Sequence, residues 1–154
     1  MMRWNTLIPA ITGAFWLVGA AVAEPQPHFA PELLTQLRRS KEIYVATQRT
    51  DGKRSAAAPV WFAVVDDTIW FSTRTGNHKA NRIRRGSPVY FSVSGKGGPF
   101  VETRAEISTD GAMADRLGEL YARKYWRAWL GMFRPSKEKI ATGTDVLVHL
   151  TPSR

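Results

Sequence analysis

The chain has 154 residues, 44% of them hydrophobic, enough for a packed core, and one globular domain is the expectation. It carries 22 lysines and arginines against 13 acids, a formal charge of +9, so its partners are expected to be anionic: phosphorylated small molecules, nucleic acid or membrane headgroups. It has no cysteine, which excludes disulfides, thiolate metal sites and thiol nucleophiles, and only three histidines, His28, His78 and His149.

Residues 1–23 read as an address rather than as structure. Arg3 gives a positive start, Leu7 to Val22 is apolar and uncharged, and Ala21-Val22-Ala23 is a small-x-small site for cleavage after Ala23. An uncleaved anchor of about the minimum spanning length is the alternative. Either way the domain is expected outside the cytoplasm, in a bacterial periplasm. With no twin-arginine pair the chain would cross unfolded and acquire any cofactor afterwards.

Residues 24–30, with two prolines, read as a linker, and the domain proper is expected over residues 31–154. Pro31 opens a short amphipathic helix that ends near Ser40. Glu42 to Arg49 alternates as a strand, Asp51-Gly52 is a hairpin signal, and a second strand begins around Ser55 and runs through Ala58 to Val65. Pro59 marks that strand as an edge or a bulge. Asp66-Asp67 turns the chain into a third strand, Thr68 to Thr73. Pro88 to Val93 is a fourth strand, Gly95 to Pro99 a wide turn, and Phe100 to Ile107 a fifth strand. Asp110 caps a helix running to about Tyr125, with Met113, Leu117, Leu120, Tyr121 and Lys124 on one face. Trp126 to Phe133 reads as a second short helix, and Asp145 to Thr151 as the sixth strand. The expected fold is mainly β (α+β): a six-stranded antiparallel split β-barrel with a short N-terminal helix and one or two helices before the last strand.

Between the third and fourth strands lies STRTGNHKANRIRR, residues 72–85, with five lysines and arginines and one histidine. A strand turning at Gly76 into a helix offers backbone N–H groups at a positive dipole end, and Lys79, Arg82 and Arg85 recur at three-residue spacing. Phosphate is the natural ligand; a solvated basic face is the plain alternative. Trp61, Phe62, Trp70, Phe71, Tyr90 and Phe91 fall on successive strands and form either core or a stacking surface for a planar ring. The histidines lack metal-ligand spacing, so no metal site is expected, and no Gly-x-Ser-x-Gly elbow supports nucleophilic hydrolysis.

The order of these signals resembles the pyridoxamine 5′-phosphate oxidase-like, FMN-binding split-barrel family, especially its small members that use FMN or a deazaflavin. The matching stretches are Tyr44-Val45-Ala46-Thr47 before Asp51-Gly52, Ala58-Pro59-Val60-Trp61-Phe62, Trp70-Phe71-Ser72-Thr73 with Lys79 six residues on, Arg82-Ile83-Arg84-Arg85 before Pro88-Val89, Arg123-Lys124-Tyr125, and Thr151-Pro152. The resemblance implies a homodimer with flavin in a groove between protomers and hydride transfer to or from a small-molecule substrate. By position it assigns the phosphate to Thr73, His78 and Lys79, helped by Arg82, and the ring and ribityl chain to Pro59, Val60, Trp61 and Ser72. The chain lacks the family's extended C-terminal substrate segment, so vitamin B6 oxidation is not expected. Thr103-Arg104 stand where a small residue is usual and would alter a groove wall. The alternative on the same barrel is a haem or tetrapyrrole-binding protein without redox catalysis, with His78 or His149 as the iron ligand. A nucleic-acid-binding barrel suits the charge but not export, and a membrane partner is expected only if the N-terminal segment stays uncleaved.

Overall fold

The computed structural model describes residues 27–153, so the proposed export segment lies outside the described residues. Seven strands, β1 (Ile43–Thr47), β2 (Ala58–Val60), β3 (Ala63–Val65), β4 (Thr68–Arg74), β5 (Val89–Ser92), β6 (Val101–Ser108) and β7 (Asp145–Pro152), form one sheet in the order β2-β1-β5-β6-β7-β4-β3. Every pairing is antiparallel.

The count is seven rather than the expected six because the second expected strand breaks in two. β2 pairs with β1 through Tyr44↔Pro59, whereas β3 pairs with β4 through Val64↔Ile69. Only Trp61 and Phe62 join them, a link of at most about 10 Å. The two outer strands of the sheet are thus consecutive in the chain, and the sheet has to curl until its edges meet at this bend. Pro59 sits on the edge strand β2, where a missing N–H costs no ladder bond.

Local chemistry explains the other turns. Asp66 and Asp67 both take positive φ (49° and 57°), the twist that a two-residue hairpin between β3 and β4 requires. Gly52, at φ 77°, closes the Gln48–Arg54 turn. The returning chain rejoins the ladder only at Ala58, three residues later than the sequence suggests.

The helices are α1 (Pro31–Arg39), α2 (His78–Arg84), α3 (Gly111–Lys124), α4 (Trp126–Trp129) and α5 (Lys137–Ala141). Asp110 caps α3, its carboxylate accepting from Ala112 N and Met113 N. α5 departs from the expectation: it makes three helices before the last strand, not one or two. Ser136 caps it after Pro135, and five residues are too few to show a period.

Two apolar clusters result. Inside the curled sheet, Ile43, Val45, Phe62, Ile69, Phe71, Val89, Phe91, Val148 and Leu150 pack with Leu34 and Leu37 of α1 and Ile83 of α2. Outside it, Leu117, Tyr121 and Tyr125 of the α3 region pack on Ala63 and Leu147, with Ile140 from α5. No helix among the described residues is long and apolar enough to cross a membrane.

Candidate functional site

A cleft of about 590 Å³ opens where the sheet is split. One wall is Pro59, Val60 and Trp61, from β2 and the bend; the other is Ser72, Thr73 and Arg74, at the end of β4. β2 and β4 share no ladder. They face each other only because the β2–β3 bend carries the chain from one edge of the sheet to the other.

The cleft therefore brings together five of the eight residues assigned from sequence: Pro59, Val60, Trp61, Ser72 and Thr73. The other three stand apart. His78 and Arg82, one helical turn apart on α2, line a separate recess of about 320 Å³ with Arg49, Asn81 and Arg85. Arg82 donates to the Thr47 hydroxyl at 3.1 Å. Lys79 lies about 100° around the helix from His78. It is half-buried, its ammonium 5.6 Å from the centre of the Phe71 ring.

The turn between β4 and α2 is held from within. Asn77 caps α2 by accepting from Ala80 N at 2.8 Å, while its amide donates to the Thr73 hydroxyl. Among the described residues, two groups here, one in the turn and one on α2, find no hydrogen-bonding or ionic partner. The Thr75 hydroxyl is buried with no hydrogen bond. Lys79 forms no ion pair among the described residues, and its burial lowers its pKa to about 8. The backbone N–H of Thr75 is bonded to the carbonyl of Thr144, itself a cleft residue, at 3.1 Å.

Trp61 is fixed by α3 and by the residues just beyond its C-terminus. The Tyr121 hydroxyl donates to the Trp61 carbonyl at 2.5 Å, and the Trp61 ring stacks on Tyr125 with centroids 4.3 Å apart and planes within 4°. Phe133 meets Trp61 edge-on at 5.8 Å. The Tyr125 hydroxyl accepts from Phe62 N–H at 3.0 Å and donates to the Lys41 carbonyl at 2.6 Å. Lys124 completes the clasp, donating to the Phe62 carbonyl at 3.2 Å from 3.5 Å above the Phe62 ring. Burial raises both tyrosine pKa values, so both stay neutral donors.

The remaining cleft wall, Tyr121, Phe133, Lys139, Thr144 and Asp145, was missed from sequence, as was Arg74. Tyr121 had a signal, its place on the apolar face of α3, but that face reads as core. Lys139 carried none: its ammonium is anchored to the Arg134 carbonyl at 2.7 Å, so its place depends on the α4–α5 loop. Thr103, expected to alter a groove wall, is buried on β6 with its hydroxyl on the Val89 carbonyl; with Arg104 it borders another recess.

Of the two histidines considered as iron ligands, His149 is half-buried, stacked on Trp70 at 4.2 Å with Nε2 2.9 Å from the Thr68 hydroxyl. Its pKa is lowered by burial, with Glu106 opposing. His78 is exposed among the arginines of the α2 recess.

The family model described as pyridoxamine 5′-phosphate oxidase matches residues 29–154. Among solved structures, the chain is similar to a conserved hypothetical protein, Rv2991, from Mycobacterium tuberculosis (21% identity, 84% of each chain covered, TM-score 0.61). It is also similar to an F420 reductase (23% identity, 78% of this chain and 92% of that one, TM-score 0.52). A third likeness is to the FAD and heme binding protein from Mycobacterium smegmatis (19% identity, 83% of this chain and 68% of that one, TM-score 0.55). At these identities the structural likeness speaks for the fold. No curated protein matches the sequence.

Proposed function

The chain belongs to the pyridoxamine 5′-phosphate oxidase family, and from that membership we propose that it is an oxidoreductase holding FMN, or a deazaflavin, in the cleft at the split of the sheet. The observation that carries the reading is the convergence of Pro59, Val60, Trp61, Ser72 and Thr73 on one cleft beside a turn with unmet hydrogen-bonding and charge needs. A phosphate suits that turn. It would give the half-buried Lys79 ammonium the counter-charge it lacks and offer acceptors to the Thr73 and Thr75 hydroxyls.

In this reading Lys79, Thr73 and Thr75 bind the phosphate, and Pro59, Val60 and Ser72 hold the ring system and its chain. Trp61, immobilised by Tyr121 and Tyr125, sets the orientation of the ring. His78 and Arg82 add positive potential at the approach rather than contacts within the cleft. When bound, the flavin supplies hydride transfer to or from a small substrate, so the chain needs no acid–base triad of its own. The protein's share is to bind, orient and exclude water. The reading includes a homodimer whose second copy covers the open side of the cleft, and export through the N-terminal segment.

The test is the absorption spectrum and mass of whatever copurifies with the full chain, followed by titration of the emptied protein with FMN, a deazaflavin and haem. A flavin or deazaflavin band and saturable binding of one of them support the reading. A Soret band, with binding of haem alone, would replace it with the tetrapyrrole alternative.

A further inference from the structure

All the exposed large apolar side chains among the described residues fall within eight positions: Trp126, Trp129, Leu130, Met132 and Phe133, from 43% to 72% exposed. Only Ala128 of α4 is buried, which pins this helix to the body while both its tryptophans face outward. Scattered exposed apolar residues are ordinary; a contiguous group with two tryptophans marks a contact surface.

The charges around the group indicate the partner. Residues 123–139 carry Arg123, Lys124, Arg127, Arg134, Lys137 and Lys139 against the single acid Glu138. Next to the tryptophans is a recess of about 320 Å³ whose cations are Lys41, Lys124 and Arg127, with no carboxylate in its lining. A second copy meeting this surface about a two-fold axis would set the basic patch against itself, cations facing cations. An anionic lipid surface meets both needs. Tryptophan and leucine settle at the boundary of headgroup and acyl chain, while arginine and lysine draw in negative headgroups.

We propose that residues 126–133 dock the protein on an anionic phospholipid surface, with Trp126, Trp129 and Leu130 in the interfacial layer and a headgroup phosphate in the Lys41, Lys124 and Arg127 recess. The protein lies on the membrane through this patch rather than crossing it.

The experiment is co-flotation of the full chain with vesicles of phosphatidylglycerol and phosphatidylcholine, compared with phosphatidylcholine alone and with high salt. It uses wild type, the triple variant Trp126→Ser, Trp129→Ser, Leu130→Ser, and the single variant Arg127→Glu, each with its fold checked by near-ultraviolet circular dichroism. The N-terminal segment is common to all three, so differences report the patch. The expected result is binding to anionic vesicles at least tenfold tighter for wild type than for the triple variant, weakened severalfold by Arg127→Glu, and lost on neutral vesicles or in high salt. Equal binding by wild type and triple variant, or binding indifferent to vesicle charge, overturns the proposal. So does a wild-type dimer that the triple variant converts to monomers, which assigns the patch to a second copy. Vesicle binding does not involve the cofactor, so it stands or falls separately from the flavin reading.

Discussion

Inside the curled sheet, Phe62, Phe71, Phe91, Ile43 and Leu150 pack on one another as hydrocarbon, with lysine ammonium groups only at the rim over Phe62 and Phe71, whereas between the sheet and α3 the packing runs through tyrosines with hydroxyls engaged. The inner cluster is non-directional: it rewards burial and leaves each side chain several ways to be satisfied. In the outer cluster the Tyr121 and Tyr125 hydroxyls and the Lys124 ammonium hold the backbone of residues 61 and 62 at particular atoms. That bend joins the two edges of the sheet and forms one wall of the cleft. Stability is thus concentrated in one cluster and positioning in the other, though the β2–β3 segment contributes neighbouring residues, Phe62 and Trp61, to both.

Substitutions that separate stability from cofactor affinity test this division. Phe91→Ala, in the inner cluster, is expected to cost about 3–5 kcal/mol in urea unfolding while leaving the FMN affinity of the folded fraction within about twofold. A similar loss of affinity and stability would show that the inner cluster positions the cleft as well. Gly118→Ala comes next. A Cβ there would run into the Pro135 carbonyl, costing roughly 1–3 kcal/mol as overpacking, and the displaced loop leads into α5 and holds Lys139 of the cleft wall through the Arg134 carbonyl, so affinity should fall with stability. Tyr125→Phe leaves the buried Phe62 N–H unpaired, at roughly 1–2 kcal/mol, and frees the bend, so the loss should again appear in both measurements.

The smallest expected effect is on pH dependence. Burial lowers Lys79 and Lys124 from 10.5 to about 8 in the folded protein, Lys124 also being repelled by Lys41. Above about pH 8 the unfolded chain therefore holds protons that the folded chain has released, and stability rises with pH up to about 9.5, where unfolded tyrosines begin to ionise. Below pH 8 both lysines are charged in either state and this contribution is flat. Lys79→Met should remove part of the rise. The inner cluster holds no titratable side chain, so a slope unchanged by replacing both lysines would contradict this account.

Much of the fold was legible because the signals were local. Asp51-Gly52 and Asp66-Asp67 mark turns by backbone preference, Asp110 marks a helix start, and alternation marks β1. The break at Trp61-Phe62 was not legible, since Ala58 to Val65 reads as one continuous strand and only closure of the sheet divides it. The candidate site split the same way. Residues 59–60 and 72–73 sit on strands whose order fixes their meeting, with Trp61 at the bend, while Lys139 and Thr144 come from a short helix and loop beyond α3 and Asp145 opens β7. His78 and Arg82 show the limit of reading a basic run as one site: helical geometry sends them to one recess and Lys79 to another face.

The claim most in need of test is that the β4–α2 turn binds the flavin phosphate through Lys79. Titrating wild type and Lys79→Met with FMN and with a deazaflavin at pH 7, followed by flavin fluorescence, measures it directly. Loss of one charge-assisted contact of about 1.5–3 kcal/mol predicts affinity roughly tenfold to more than a hundredfold weaker in the variant, with the fold intact. Equal affinity in the two proteins would contradict the assignment of the site.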